Sequence, residues 1–207
     1  MLLVVLAVSG ICSAAVIDDF ESYTSTIGMK TVWSNTANLT LTLDTTEFHD
    51  GAKSMKYTGS TWNSPWYQKS EYKLDPANWG VSGVDWTGMT TFSMWVKPTS
   101  SKGNFKVSIV DCYGNNIYLM NWGVLATGSW INLTWDLTGL DAYGDTLTAA
   151  ERTIVGRIDI VAKKETAFTP SSQDGTNTYF IDGITVVPEP ATMAILSLGG
   201  LLLRKRK

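Results

Sequence analysis

Apolar residues recur at every second position through much of this chain, in short runs that break at Gly, Asn, Asp, Ser and Pro. Leu39-Thr40-Leu41-Thr42-Leu43 alternates strictly, which puts three leucines on one face of an extended segment and the threonines on the other. Phe92, Met94 and Val96 share a face against Ser93, Trp95 and Lys97, and Phe105, Val107 and Ile109 repeat the pattern. Further segments follow at 131–135, 158–161 and 179–186. Period two with β-branched and aromatic enrichment predicts strands, and turn residues fall between them at His49-Asp50-Gly51, Ser101-Lys102-Gly103-Asn104, Tyr113-Gly114-Asn115-Asn116 and Ala126-Thr127-Gly128-Ser129. Helical periodicity is almost absent. One helical turn is predicted at 148–152, where Thr148 caps and Glu151 stands three residues on.

About ten short strands without long intervening helices predict an all-β fold, a β-sandwich first and a barrel second. No repeat of solenoid or propeller period is present. The chain of 207 residues holds one domain of common size plus end segments, and its 44% hydrophobic content is enough for a core.

Charge separates the body from the tail. Removing the four C-terminal cations from sixteen basic residues leaves twelve against nineteen acidic, a balance of -7 for residues 1–203. A nucleic-acid-binding body would carry the opposite sign, so nucleic acid is not an expected partner. Residues 1–15, MLLVVLAVSGICSAA, are an apolar run closed by small residues and predict a signal peptide cut before Val16. That cut would discard Cys12 and leave Cys112 alone, so the exported domain, residues 16–187, is expected to hold together by packing rather than by an intrachain disulfide.

Nine tryptophans invite a sugar-stacking reading, because the C–H face of a pyranose lies well on an aromatic ring. Trp95 and Trp135 fall in regular strands and are assigned to packing or sheet faces. The candidate platforms are Trp62, Trp66 and Tyr67 in one loop-like segment and Trp79 and Trp86 in another, each mixed with amides and hydroxyls; Trp122, near Tyr113, Asn115 and Asn116, is a third. Catalysis finds no constellation: the single histidine, His49, stands in a turn, Cys112 lies at a strand end without a base nearby in sequence, and no nucleophile elbow, metalloprotease pair or Walker loop occurs. A non-enzyme is the expectation. Asn38-Leu39-Thr40 and Asn132-Leu133-Thr134 match the glycosylation pattern, but each also fits an alternating strand.

Ile17-Asp18-Asp19-Phe20-Glu21, then 50–57, 91–97, 129–133 and Phe180-Ile181-Asp182-Gly183-Ile184 occur in an order that resembles galactose-binding-like jelly-roll modules, the carbohydrate-binding modules found beside many glycoside hydrolases. The resemblance spans most of 17–187 and implies a jelly-roll β-sandwich, with Trp130 as the residue opening a core strand. Such modules often carry a structural calcium. The resemblance therefore implies Ca2+ ligands at Asp19, Glu21, Asp50 and Asp182, with the Lys53 carbonyl completing an all-oxygen shell.

The end of the chain reads Val187-Pro188-Glu189-Pro190, thirteen uncharged residues from Ala191 to Leu203, then Arg204-Lys205-Arg206-Lys207. This order resembles the PEP-CTERM sorting signal of bacterial exported proteins, which implies recognition by an exosortase, loss of segment 188–207 and delivery to the cell surface or an exopolysaccharide matrix. Thirteen helical residues reach only about 20 Å against a hydrocarbon core near 30 Å, so the run suits a transient membrane anchor better than a full span. Pro188 and Pro190 are expected to leave Glu189 in an extended linker. Together these readings predict a surface or matrix protein with a non-catalytic, glycan-binding sandwich. The alternatives are a structural envelope protein without a sugar site, and a small glycan-active enzyme.

Overall fold

A computed structural model describes residues 14–36, 39–60, 69–101, 103–163 and 175–189, and structural statements below concern these. Eleven described strands form two antiparallel sheets. Sheet A holds β3 (Leu39–Asp44), β4 (Ser54–Ser60), β11 (Thr176–Pro188), β6 (Met89–Ser100) and β9 (Ile131–Asp136) in that spatial order, with β1 (Ala15–Asp18) also paired to β11. Sheet B orders β2 (Trp33–Asn35), β5 (Lys69–Lys73), β10 (Val155–Lys163), β7 (Asn104–Asp111) and β8 (Asn116–Asn121). The fold is a jelly-roll β-sandwich, as the alternation predicts.

The period-two pattern places the core. Leu41, Met55, Tyr57, Phe92, Met94, Val96, Tyr179 and Ile181 are buried on the inner face of sheet A against Trp33, Phe105, Val107, Ile109, Met120, Ile158 and Ile160 of sheet B. Each such side chain contributes about 1.5 to 3 kcal/mol by leaving water. The polar groups among them are bonded: buried Asp18 accepts from Trp33 Nε1 at 2.8 Å, Tyr23 Oη at 2.6 Å and Phe20 N at 2.8 Å. Burial still raises the Asp18 pKa against the pull of those donors. The Tyr57 hydroxyl accepts from Ala162 N at 3.2 Å, joining the sheets.

The two α-helices among the described residues are single turns, α1 (Thr26–Met29) and α2 (Ala149–Arg152); α2 has the expected Thr148–Glu151 capping box. β11 organises sheet A. β4 pairs with it over 176–181, β1 takes over at 184–186, and β6 runs along the other edge. At the changeover the register slips between Asp182 and Thr185, with Gly183 at φ 55°, so a bulge turns Asp182 toward the loop before β4.

Two sequence expectations are corrected here. Trp86 is only 2% exposed and belongs to the core, so its ring offers no sugar platform. Trp122 is half-buried, edge-on to Trp135 at 5.5 Å and tilted on Phe105 at 6.3 Å, which makes it a packing residue as well. Neither is marked by local sequence, because both lie outside the alternating runs.

Candidate functional site

The outward face of sheet B carries charge in register. Lys69, Glu71 and Lys73 of β5 alternate with inward Ser70 and Tyr72, and Arg157, Asp159 and Val161 of β10 alternate with Ile158 and Ile160. Pairing sets Lys73 beside Arg157, Glu71 beside Asp159 and Lys69 beside Val161. Ion pairs form along each strand, Arg157 Nε to Asp159 Oδ1 at 2.6 Å and Lys69 Nζ to Glu71 Oε1 at 2.6 Å, and diagonally between them, Lys69 Nζ to Asp159 Oδ2 at 3.1 Å. Burial raises the Asp159 pKa despite both cations. At the more open Glu71, burial acts the same way, but Lys69 and Arg157 outweigh it and hold the carboxyl below its ordinary range.

This face is recessed. Asp159, Ser108, Val110 and Val161 all point outward and are nevertheless buried. At one end Trp79 lies over the row, its ring 4.8 Å from Lys73 Nζ and 5.2 Å from the Arg157 guanidinium, with Tyr113 exposed in the next turn. Trp79 is thus the sequence-predicted aromatic that the structure places on a polar surface. Trp62, Trp66 and Tyr67 lie outside the described residues. Arg157, Asp159, Lys69 and Glu71 were missed from sequence, although the alternation K-S-E-Y-K and R-I-D-I-V is a legible sign of a charged outward face.

Sheet A has a cleft of about 510 Å3 on its outward face, where the β11 bulge, the end of β1 and the loop before β4 meet. Asp19, Glu21, Asp50 and Asp182, four of the expected calcium ligands, all line it. Their oxygens, however, organise backbone. Asp182 Oδ2 accepts from His49 N at 2.9 Å and Asp50 N at 3.1 Å, and Glu21 Oε1 accepts from Ala52 N at 2.8 Å and Lys53 N at 2.9 Å. Gly51, at φ 70°, passes so close to the Glu21 carboxyl that any side chain there would strike it.

Calcium requires six to eight converging oxygens at about 2.3 to 2.6 Å. Among the described residues no three His, Cys, Asp or Glu side chains converge in that way. The Lys53 ammonium itself sits 2.7 Å from the Glu21 carbonyl oxygen, bringing a built-in cation to the cleft's edge. This donor arrangement does not fit a resident calcium ion. Burial raises the Asp182 pKa against its N–H donors. His49, read from sequence as a solvated turn residue, lies flat on Trp95 with ring centroids 3.6 Å apart and 11° between planes.

The chain leaves the fold later than the sequence suggests. Pro188 still pairs with Met89 at the end of β11, and Glu189 N donates to Gly88 O at 2.9 Å. Val187 O accepts from the Thr90 hydroxyl at 3.3 Å. The expected open linker at Pro188-Glu189 is therefore held to the sheet A edge, with a register shift at Val187/Pro188 accommodating the missing proline donor. At the other terminus β1 starts at Ala15, paired with Val186, so the expected export cut site and the start of the tail are neighbours. Pro190 and Arg204, Lys205, Arg206 and Lys207 lie outside the described residues. Among the described residues no helix is long and apolar enough to cross a membrane.

Residues 186–207 match the PEP-CTERM protein-sorting motif. The chain carries this sorting signal. Its presence implies export and sorting to the cell surface. The body is similar to the family 11 carbohydrate-binding module of the cellulosomal cellulase Lic26A-Cel5E of Clostridium thermocellum, at 13% identity and a TM-score of 0.55, over 86% of this chain and 95% of that one. A family 11 module from the same organism, in complex with a β-1,3-1,4-mixed-linked tetrasaccharide, gives 15% identity and 0.55 over 84% and 95%. A tandem of family 22 modules from Paenibacillus barcinonensis Xyn10C gives 12% and 0.50, covering 86% of this chain and 47% of the tandem. At these identities the likeness concerns the fold. No curated protein matches the chain.

Proposed function

We propose that this PEP-CTERM protein is exported, processed by an exosortase after transient anchoring through its C-terminal apolar run, and retained at the cell surface or matrix as a non-catalytic polysaccharide-binding sandwich. The observation that carries the binding reading is the recessed sheet B face, where one tryptophan ring borders a row of mutually paired charges. Pairing holds the donors and acceptors still before a ligand arrives, which lowers the cost of ordering them on binding. A sugar ring packs its C–H face on Trp79, while its hydroxyls donate to Glu71 and accept from Arg157 and Lys73. Buried area and charge-assisted hydrogen bonding then do the work, without a reacting bond. Similar folds in solved carbohydrate-binding modules support the same reading, and the tetrasaccharide bound by one of them supplies the first probe.

A second reading, a structural envelope protein, is favoured by the same ion pairs, which satisfy one another without a ligand. Calorimetric titration of the full-length chain with the mixed-linked tetrasaccharide and a panel of soluble glucans and xylans separates the two. Saturable binding that Trp79→Ala weakens at least about tenfold, with the fold retained, supports the sugar site. Absence of binding to every glycan rejects the sheet B site and leaves the structural role, whereas binding untouched by that substitution rejects the sheet B site and places the sugar elsewhere on the molecule.

A further inference from the structure

The cleft on sheet A lies on the opposite side of the sandwich from Trp79 and has no part in the reading above. Its volume of about 510 Å3 falls in the range of small-ligand sites, roughly 300 to 1,000 Å3. Its shape comes from tertiary structure: the Asp182 bulge pins the 49–50 turn through two backbone N–H groups, and the pinned turn lays the His49 ring on Trp95. Trp130 meets His49 edge-on at 5.8 Å and fixes it from the side. His49 is itself exposed, so the stack presents an aromatic face to solvent.

The wall beside the stack is polar and built on strands β6 and β9, where Asn132 pairs directly with Trp95. Ser93 of β6 donates to Asn132 Oδ1 of β9 at 2.8 Å, which orients the carboxamide and leaves its NH2 group with no partner among the described residues. Asp19 and Asp50 each use one oxygen, Oδ1, on a nearby backbone N–H, at 3.1 and 2.8 Å, and keep the other as an acceptor. Lys53 stands at the cleft's edge with its ammonium on the Glu21 carbonyl oxygen, and among the ionisable residues lining the cleft carboxylates predominate. An aromatic face, an amide donor and carboxylate acceptors around one cleft match a sugar ring with hydroxyls at its rim. The excess of carboxylates repels a ligand that carries its own acid groups.

We propose that this cleft is a second saccharide subsite, selective for neutral or amine-bearing sugars over uronates and sulfated sugars, in which a ring stacks on the His49–Trp95 pair and is held by Asn132, Asp19 and Asp50. The spread of the acids suits an extended ligand, whereas a bare metal ion needs them at one point. With sites on opposite faces, one molecule bridges two polysaccharide strands, and binding to a multi-chain matrix gains avidity from the pair.

His49 is the only histidine of the chain, so its imidazole gives one isolated pair of ring-proton resonances. The test follows those resonances in the full-length protein at fixed pH, during titration with a mixed-linked β-glucan tetrasaccharide, a chitosan tetramer and a tetragalacturonate. The expected result is a saturable shift with the first or second sugar, none with the third, persistence of the shift in Trp79→Ala, and at least a tenfold weaker response in Asn132→Ala with an otherwise native spectrum. Resonances unmoved by all three sugars overturn the subsite. An equal response to the galacturonate overturns the charge selectivity, and a shift that disappears with Trp79 assigns the effect to sheet B. A response to calcium chloride alone, lost on chelation, replaces the sugar subsite with a metal site.

Discussion

The two outward faces of the sandwich both bury carboxylates, but they satisfy them differently. On sheet B, Asp159 is compensated by side chains, Arg157 and Lys69, that alternate along regular strands. On sheet A, Asp182 is compensated by backbone N–H groups of a loop that packs over a bulge. The first arrangement requires only register, and it yields a straight polar row. The second requires three chain segments to meet, and it yields a cleft. The difference teaches that a paired charge is satisfied within the sheet by register alone, while an acid bonded to a loop needs segments distant in sequence to meet.

The strongest way to break the comparison is Asp159→Ala, which removes the most buried acid of the row and leaves Lys69 and Arg157 to share Glu71 alone. Because Glu71 still pairs both cations, the loss is expected at the lower end of the about 3 to 5 kcal/mol that breaking a buried ion pair costs, to be read from urea unfolding. Asp182→Ala removes the acceptor of two backbone N–H groups and is expected to cost about 2 kcal/mol by the same measurement. If the two substitutions proved equal, side-chain and backbone compensation would be equivalent here.

A finer contrast comes from pH. Burial raises the pKa of Asp182 and Asp159 above the ordinary 3.8, so their protonated forms favour the folded state. The stability each contributes is full below 3.8 and is lost as pH rises through the raised value. Asp44, Asp136 and Asp141 are lowered, with opposite sign: their contribution is present above 3.8 and lost as pH falls through the lowered value. Asp182→Asn should therefore flatten the decline of stability above pH 3.8 while leaving the acid-side loss in place, as thermal melts across a pH series would show. The smallest expected effect is that of chelation. Because the cleft acids are tied to N–H groups, EDTA should move the melting temperature by less than about 1 °C, and a fall of several degrees would show a metal contribution.

Much of the fold was legible in the sequence. The alternation at 39–43, 92–97 and 105–109 marks core-facing residues correctly because a two-residue period leaves one face dry and the other wet. The Thr148–Glu151 box marks α2 for an equally local reason. The site was less legible. Trp79 and Trp86 stand seven residues apart in similar company, yet one ring covers a charged row and the other is sealed in the core. Which one faces a sugar depends on contacts with β5 and β10, far away in sequence.

The sequence by itself determined the strands, the all-β class, the acidic body and the sorting tail, since each rests on a local pattern or a count. Tertiary structure alone decided the rest. It brought Asp19, Asp50 and Asp182 to one cleft, laid His49 on Trp95, and carried the last strand as far as Pro188. The physical reason is that hydrophobic periodicity says which way a residue points, while only the closed sheet, with its register and its bulges, says what it meets.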